Sequence, residues 1–117
     1  MSLQQVRKGS TDLLILSVLN EKTMYGYEIM RELELRSDGY FEMTAALLYP
    51  ALHRLERDQY VTSEWQHPEG QRRRKYYTLT DAGRDALVET QAEWQTFVGK
   101  LFETLNRPNP IPGGQGA

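Results

Sequence analysis

Six of the seven residues from Leu13 to Leu19 are apolar. That run is too dense for a helix burying a single stripe, so it predicts a first helix enclosed by several other elements. Ser10 or Thr11 is placed to cap it, with Asp12 in the first turn, where a carboxylate complements the helix dipole. Residues 3–9 either extend this helix or form an arm. A break at Asn20 to Lys22 precedes a second helix, with Thr23 as its expected N-cap. Gly26, Ile29, Met30 and Leu33 share one face of it; Glu28, Arg31, Glu32 and Glu34 occupy the other. Ser37-Asp38-Gly39 carries the turn chemistry that ends it. A third helix is expected from Thr44 to about Asp58. Leu48, Ala51, Leu52 and Leu55 face inward, and Leu47, Tyr49, Pro50, His53, Arg54 and Arg57 face outward. Pro50 removes a backbone donor inside that span, which predicts a late start or a slight bend.

The period then changes from helical to alternating. Val61, Ser63 and Trp65 alternate with Thr62 and Glu64. His67-Pro68-Glu69-Gly70 supplies a turn, and a second strand runs from about Arg73 to Leu79 with Tyr77 and Leu79 on one face. Thr80 caps a long fourth helix reaching about Leu105. In it Leu87, Trp94 and Leu101 recur at seven, as do Val98 and Leu105, while Phe97 and Phe102 widen the seam.

Three helices followed by a basic two-stranded hairpin is the order of a winged helix-turn-helix, with the third helix bound for the major groove and the hairpin as the wing. The expected fold class is therefore mainly α with a small β-hairpin. Residues 1–80 form the winged-helix region, and 81–105 form an added C-terminal dimerisation helix of the same domain. Residues 106–117, rich in proline and glycine, have the composition of a disordered tail. Leu87, Trp94, Phe97, Val98, Leu101, Phe102 and Leu105 present more apolar surface than one small domain can cover, which makes them the expected homodimer interface.

Composition narrows the chemistry. The 117 residues suit one domain, and the absence of cysteine excludes disulfides, thiolate metal sites and a cysteine nucleophile. No apolar run approaches a membrane span and no signal-peptide core is visible, so the expected location is cytoplasmic, with no membrane partner. The two histidines, His53 and His67, have no metal-site or triad spacing, and no glycine-rich loop precedes a helix to cradle phosphate. No enzyme, metal or cofactor is expected. The net charge of −2 by itself argues against a polyanion partner. Its distribution argues the other way: Arg72, Arg73, Arg74 and Lys75 lie together without an acid between Gln71 and Thr80, whereas Asp81 to Leu105 holds five acids against two bases. For binding a polyanion such segregation outweighs the sum.

Tyr25-Gly26-Tyr27-Glu28-Ile29, then Leu48-Tyr49-Pro50-Ala51-Leu52-His53-Arg54-Leu55-Glu56, then Arg73-Arg74-Lys75-Tyr76-Tyr77-Thr78-Leu79-Thr80 with Gly83 beyond, occur in an order that resembles the PadR family of transcriptional regulators. The resemblance spans roughly residues 10–105. It implies a winged-helix repressor, dimeric through its C-terminal helix and often released from DNA by a small molecule. The single C-terminal helix resembles the compact subfamily that includes the lactococcal multidrug-binding repressor. Leu47 stands where the family usually carries Ser or Thr, and Gln59 where a glycine commonly ends the recognition helix.

The expected DNA contacts are Thr44, Tyr49, Pro50, His53 and Arg54 on the third helix, and Arg72, Arg73, Arg74 and Lys75 on the wing. Arg72 and Arg73 lie nearest the turn, while Lys75 shares a strand face with Tyr77 and can instead line the fold. Tyr49 can donate to phosphate, and Arg54 can reach either phosphate or guanine. The expected partner is double-stranded DNA with a near-palindromic operator. Trp94 has three readings: dimer packing, stacking on a planar aromatic ligand between subunits, or ordinary core. The competing reading for the whole chain is a winged-helix interaction or dimerisation module that leaves its basic wing idle.

Overall fold

The computed structural model describes residues 3–108, with side chains described from residue 9. The order is α1 (Leu3–Leu19), β1 (Met24–Tyr25), α2 (Gly26–Arg36), α3 (Ala45–Arg57), β2 (Val61–Gln66), β3 (Arg74–Leu79) and α4 (Asp81–Leu105). This is the expected mainly helical winged fold. Most of the tail expected beyond Leu105 lies outside the described residues.

The core sits where the dense apolar run placed it. Ile15, Leu16, Val18 and Leu19 of α1 are buried against Ile29 and Leu33 of α2, Leu48, Ala51, Leu52 and Leu55 of α3, and Val61, Tyr77 and Leu79 of the hairpin. Helix α1 runs unbroken through Gly9, Ser10 and Thr11, so neither hydroxyl residue is its N-cap and residues 3–9 extend the helix. Helix α3 begins at Ala45 behind Thr44, and Pro50 lies inside it.

The sheet has a strand that the hydrophobic pattern did not predict. Met24 and Tyr25 pair antiparallel with Tyr77 and Tyr76, giving the order β1-β3-β2. Two residues carry no period, so only the partner strand reveals them. Thr23, expected to cap α2, instead flanks this strand, and its hydroxyl lies 2.8 Å from that of Thr78. The N-cap of α2 is Tyr25, whose backbone N–H donates to Glu28 Oε1 at 3.1 Å.

Helix α3 ends in a Schellman arrangement. The N–H of Tyr60 donates to the Leu55 carbonyl at 2.8 Å and that of Gln59 to the Glu56 carbonyl at 3.0 Å. The residue between cap and return must then be left-handed, and Gln59 has φ +66°. Helix α2 closes in the same way through Asp38 (φ +52°), with Gly39 N–H on the Glu34 carbonyl at 2.8 Å. Thr80 joins this corner to α4: its hydroxyl donates to the Gln59 carbonyl at 2.8 Å and accepts from Gly83 N–H at 2.9 Å. A Cβ on Gly83 would overlap the Tyr60 carbonyl oxygen and stand 2.7 Å from Leu79 Cδ1, so this glycine is required by close backbone approach.

Past Trp94 the residues of the fourth helix are exposed. Leu87 is 7% exposed and belongs to the protomer's own core. This corrects its expected place at the dimer interface: spacing by seven put it in the seam, but the first two turns of α4 already have α1 and β3 to cover them.

Gln59 is the strained position that a glycine relieves. Gln59→Gly is expected to stabilise the fold by about 1 kcal/mol, because the left-handed penalty on a Cβ exceeds the extra chain entropy of glycine. Gly83→Ala is expected to cost about 1–3 kcal/mol through overpacking against an immovable carbonyl. Denaturant melts of both variants check the pair of signs.

Candidate nucleic-acid interface

The hydrophobic stripe of α3 leaves Tyr49 and His53, one turn apart, on the side turned toward the wing. The wing is held to that helix by Glu56. Its Oε2 accepts from Ser63 Oγ on β2 at 2.5 Å, and its Oε1 lies 4.0 Å from Lys75 Nζ on β3. Between α3, the start of α2 and the hairpin lies a cleft of about 710 Å³, lined by Tyr25, Gly26, Tyr27, Tyr49, His53, Trp65, Arg72, Arg73, Arg74, Lys75 and Tyr77. The four wing cations thus share one concave surface with the exposed polar residues of α3.

Strand alternation divides those cations. The Arg73 guanidinium stands 4.5 Å from the centroid of the Trp65 ring, and Lys75 Nζ stands 5.9 Å from it. Arg74 points the other way, 4.3 Å over the Tyr25 ring, which packs edge-to-face on Tyr76. Arg72 precedes β3 and is exposed. A cation on an aromatic face stays charged and oriented at small desolvation cost, so these stacks aim the wing's charge. Lys75, between Glu56 and the rings of Trp65 and Tyr77, is the most structurally engaged of the four. Burial, with a smaller push from Glu56 and Tyr49, raises the Tyr77 phenol above its ordinary value.

Arg54 departs from its expected role. Instead of facing outward, it reaches α1, where Nη2 donates to Asp12 Oδ1 at 2.8 Å, and both side chains are largely covered. Its Nε is buried without a hydrogen-bond partner among the described residues. Helical spacing placed Arg54 on the polar side of α3; α1 crosses that side and supplies a carboxylate. Arg54 therefore ties α1 to α3 and does not line the cleft. Thr44 caps α3 by its backbone alone and is exposed beyond the cleft, beside Tyr27 and Met43. Pro50 is exposed.

Tyr25, Tyr27 and Trp65 line the cleft and were not among the expected site residues. Trp65 was legible as a strand aromatic, but its pairing with Arg73 depends on the hairpin register, which sets it opposite Lys75. On α4, Trp94 is half-buried: its indole lies along α1 at Gly9, where an added Cβ would stand 3.4 Å from Cζ2, and its ring meets Phe97 edge-to-face at 5.8 Å. Phe97, Val98, Leu101, Phe102 and Leu105 remain exposed, the last two at 57% and 67%. Among the described residues, no helix is long and apolar enough to cross a membrane, and no group of three His, Cys, Asp or Glu could hold a metal ion.

The Arg54–Asp12 pair carries a stability prediction. Arg54→Ala is expected to destabilise the fold by about 1.5–3 kcal/mol, the range for a hydrogen bond to a charged group that is only partly solvated. In a double-mutant cycle with Asp12→Ala, measured by denaturant melts, the two losses should overlap instead of adding.

The family model of the transcriptional regulator PadR-like family matches residues 15–89. Transcriptional regulator Rv3488 of Mycobacterium tuberculosis is 34% identical over 87 residues, covering 74% of this chain and 78% of the relative. A transcriptional regulator from Clostridium thermocellum superposes with a TM-score of 0.77 at 30% identity, covering 92% of this chain and 99% of that one. A PadR family transcriptional regulator from Eggerthella lenta gives 0.76 at 33%, covering 91% and 90%. The chain shares its fold with these transcriptional regulators, not with an enzyme among them, and it belongs to the PadR-like family of transcriptional regulators.

Proposed function

We propose that this chain is a homodimeric repressor whose two α3 helices enter successive major grooves of a near-palindromic operator while the wings follow the flanking backbone. The observation that carries the reading is the cleft itself: a chain with a net charge of −2 gathers Arg72, Arg73, Arg74 and Lys75 around the exposed Tyr49 and His53 of one helix. Cations at the wing neutralise phosphates and set register; polar groups on α3 reach phosphate or base edges. Tyr49, Pro50 and His53 are the α3 contacts, Thr44 is a contact at the helix start, and the wing residues supply most of the affinity. Arg54 is left to the fold. In this reading residues 1–80 are the DNA-binding region and 81–105 the dimerisation helix.

The dimer reading is supported by the outer half of α4. Phe97, Val98, Leu101, Phe102 and Leu105 form an apolar stripe that the described residues leave exposed. A second copy of the same helix offers a matching surface. A planar aromatic effector would enter between subunits near the two Trp94 rings. An indole face favours flat, delocalised cations over anions. Ligand and operator would then oppose each other through the subunit separation that α4 sets, each weakening the other by the same factor.

Salt dependence tests the DNA reading. With a duplex recovered by the wild-type chain from a randomised library, log K should fall linearly with log salt. Arg73→Ala should lower that slope by about one per protomer and weaken specific and non-specific duplexes alike. Fluorescence anisotropy measures both. Equal binding by wild type and by a quadruple alanine variant at residues 72–75 would leave the interaction-module reading in its place.

Light scattering at micromolar concentration tests the assembly: the mass should be about twice the 13.6 kDa of one chain, and Leu101→Asp should reduce it to one. A panel of planar cationic dyes should quench indole emission in wild type and lose most of that effect in Trp94→Ala, with Trp65 as residual emitter. Dye binding unchanged by Trp94→Ala would leave that residue as packing alone.

A further inference from the structure

Two glycines occupy the first turns of helices, and they are glycine for different reasons. A Cβ on Gly83 meets a backbone carbonyl, which cannot move. A Cβ on Gly26, the first residue of α2, meets only Tyr49: it would overlap the hydroxyl oxygen and stand 2.9 Å from Cζ and 3.2 Å from Cε1. Those atoms are the far end of a side chain that is 43% exposed. The collision is therefore resolved by rotating the Tyr49 ring away, not by moving a helix. Gly26 itself is buried and its φ is not left-handed, so neither turn geometry nor strain demands glycine there.

We propose that Gly26 is a positioning residue for DNA binding, a gap in the first turn of α2 that lets the Tyr49 ring of α3 lie across that turn with its hydroxyl in the cleft. The close approach of Tyr49 to Gly26 and the lining of the cleft both support this. The first turn of α2 and Tyr49 line the same cleft as the four wing cations. With alanine at position 26 the ring loses its berth, and a hydroxyl poised for a phosphate oxygen becomes a mobile one. The two helices of the helix-turn-helix are in this way set against each other through a tyrosine that belongs to the DNA surface.

The proposal rests on the α3–wing cleft being the DNA interface, and the experiment separates the two. Binding of the library-selected duplex is measured for wild type, Gly26→Ala, Tyr49→Phe, Tyr49→Ala and Gly26→Ala/Tyr49→Ala. Tyr49→Phe should weaken binding about tenfold, the loss of one hydrogen bond to a charged acceptor. Gly26→Ala should match that loss to within about a factor of two, with an unchanged thermal midpoint. Its salt slope should equal that of wild type, since no charge has moved. In the Tyr49→Ala background, where the ring is gone, Gly26→Ala should have no further effect. Gly26→Ala binding like wild type, or costing as much in the Tyr49→Ala background as in wild type, overturns the proposal. So does a lowered midpoint that Tyr49→Ala does not restore, because the collision would then fall on the backbone. A wild-type chain that binds no duplex overturns the interface reading as well.

Discussion

The corner formed by Gln59, Tyr60, Thr80 and Gly83 is the constraint on which the other elements depend. The end of the recognition helix, the start of β2, the end of β3 and the start of α4 meet within a few residues there. The Tyr60 carbonyl accepts from Thr80 N–H at 3.0 Å, the Thr80 hydroxyl bridges to the Gln59 carbonyl and caps α4, and the missing side chain of Gly83 lets α4 start directly on that carbonyl. The bond from Gly83 N–H to the Thr80 hydroxyl satisfies a backbone group that the start of α4 would otherwise leave orphaned. The left-handed Gln59 is the cost of bringing all four elements to one point. Because α3, the wing and α4 share this joint, the direction of α4 is tied to that of α3 and the wing without a flexible linker between them.

A second joint sits on the opposite side of α3. Arg54 grips Asp12 of α1, and α1 packs along α4 as far as Trp94 and Gly9. The recognition helix is thus held at its wing side by Glu56 and at its α1 side by Arg54, both polar and both incompletely buried. Hydrophobic contacts between α1 and α3 supply most of the adhesion; the ion pair, worth little in open solvent, gains from its partial burial and its single fixed geometry. Polar links of this kind fix the orientation of α3 against α1 and the wing.

The wing shows how an acidic chain can present a basic surface. Trp65 and Tyr25 each take a cation on a ring face, and β alternation sends Arg73 and Lys75 to one ring and Arg74 to the other. The acids of α4 lie on an element that runs away from the cleft. Distance and solvent screening then leave the local field of the wing dominant within roughly one Debye length of the DNA, about 8–10 Å.

Much of this was legible in residue order. The dense run 13–19, the 3.6-residue stripes of α2 and α3, the alternation at 61–65 and the basic tract at 72–75 determine the elements, their faces and the winged-helix order, because those properties follow from local period and side-chain chemistry. The left-handed turn at Gln59 was foreshadowed only by the family resemblance, in which a glycine commonly stands at that position. Four things were decided only by tertiary structure. The strand at Met24–Tyr25 exists because β3 offers an edge. Arg54 turns inward because α1 brings Asp12 to it. Leu87 is core because α1 and β3 reach the base of α4 but not its outer half. Gly26 matters because Tyr49, 23 positions away in the chain, lies over it. Period and composition report what a residue prefers; which neighbour satisfies that preference depends on contacts between segments far apart in sequence, and only the packed fold brings those segments together.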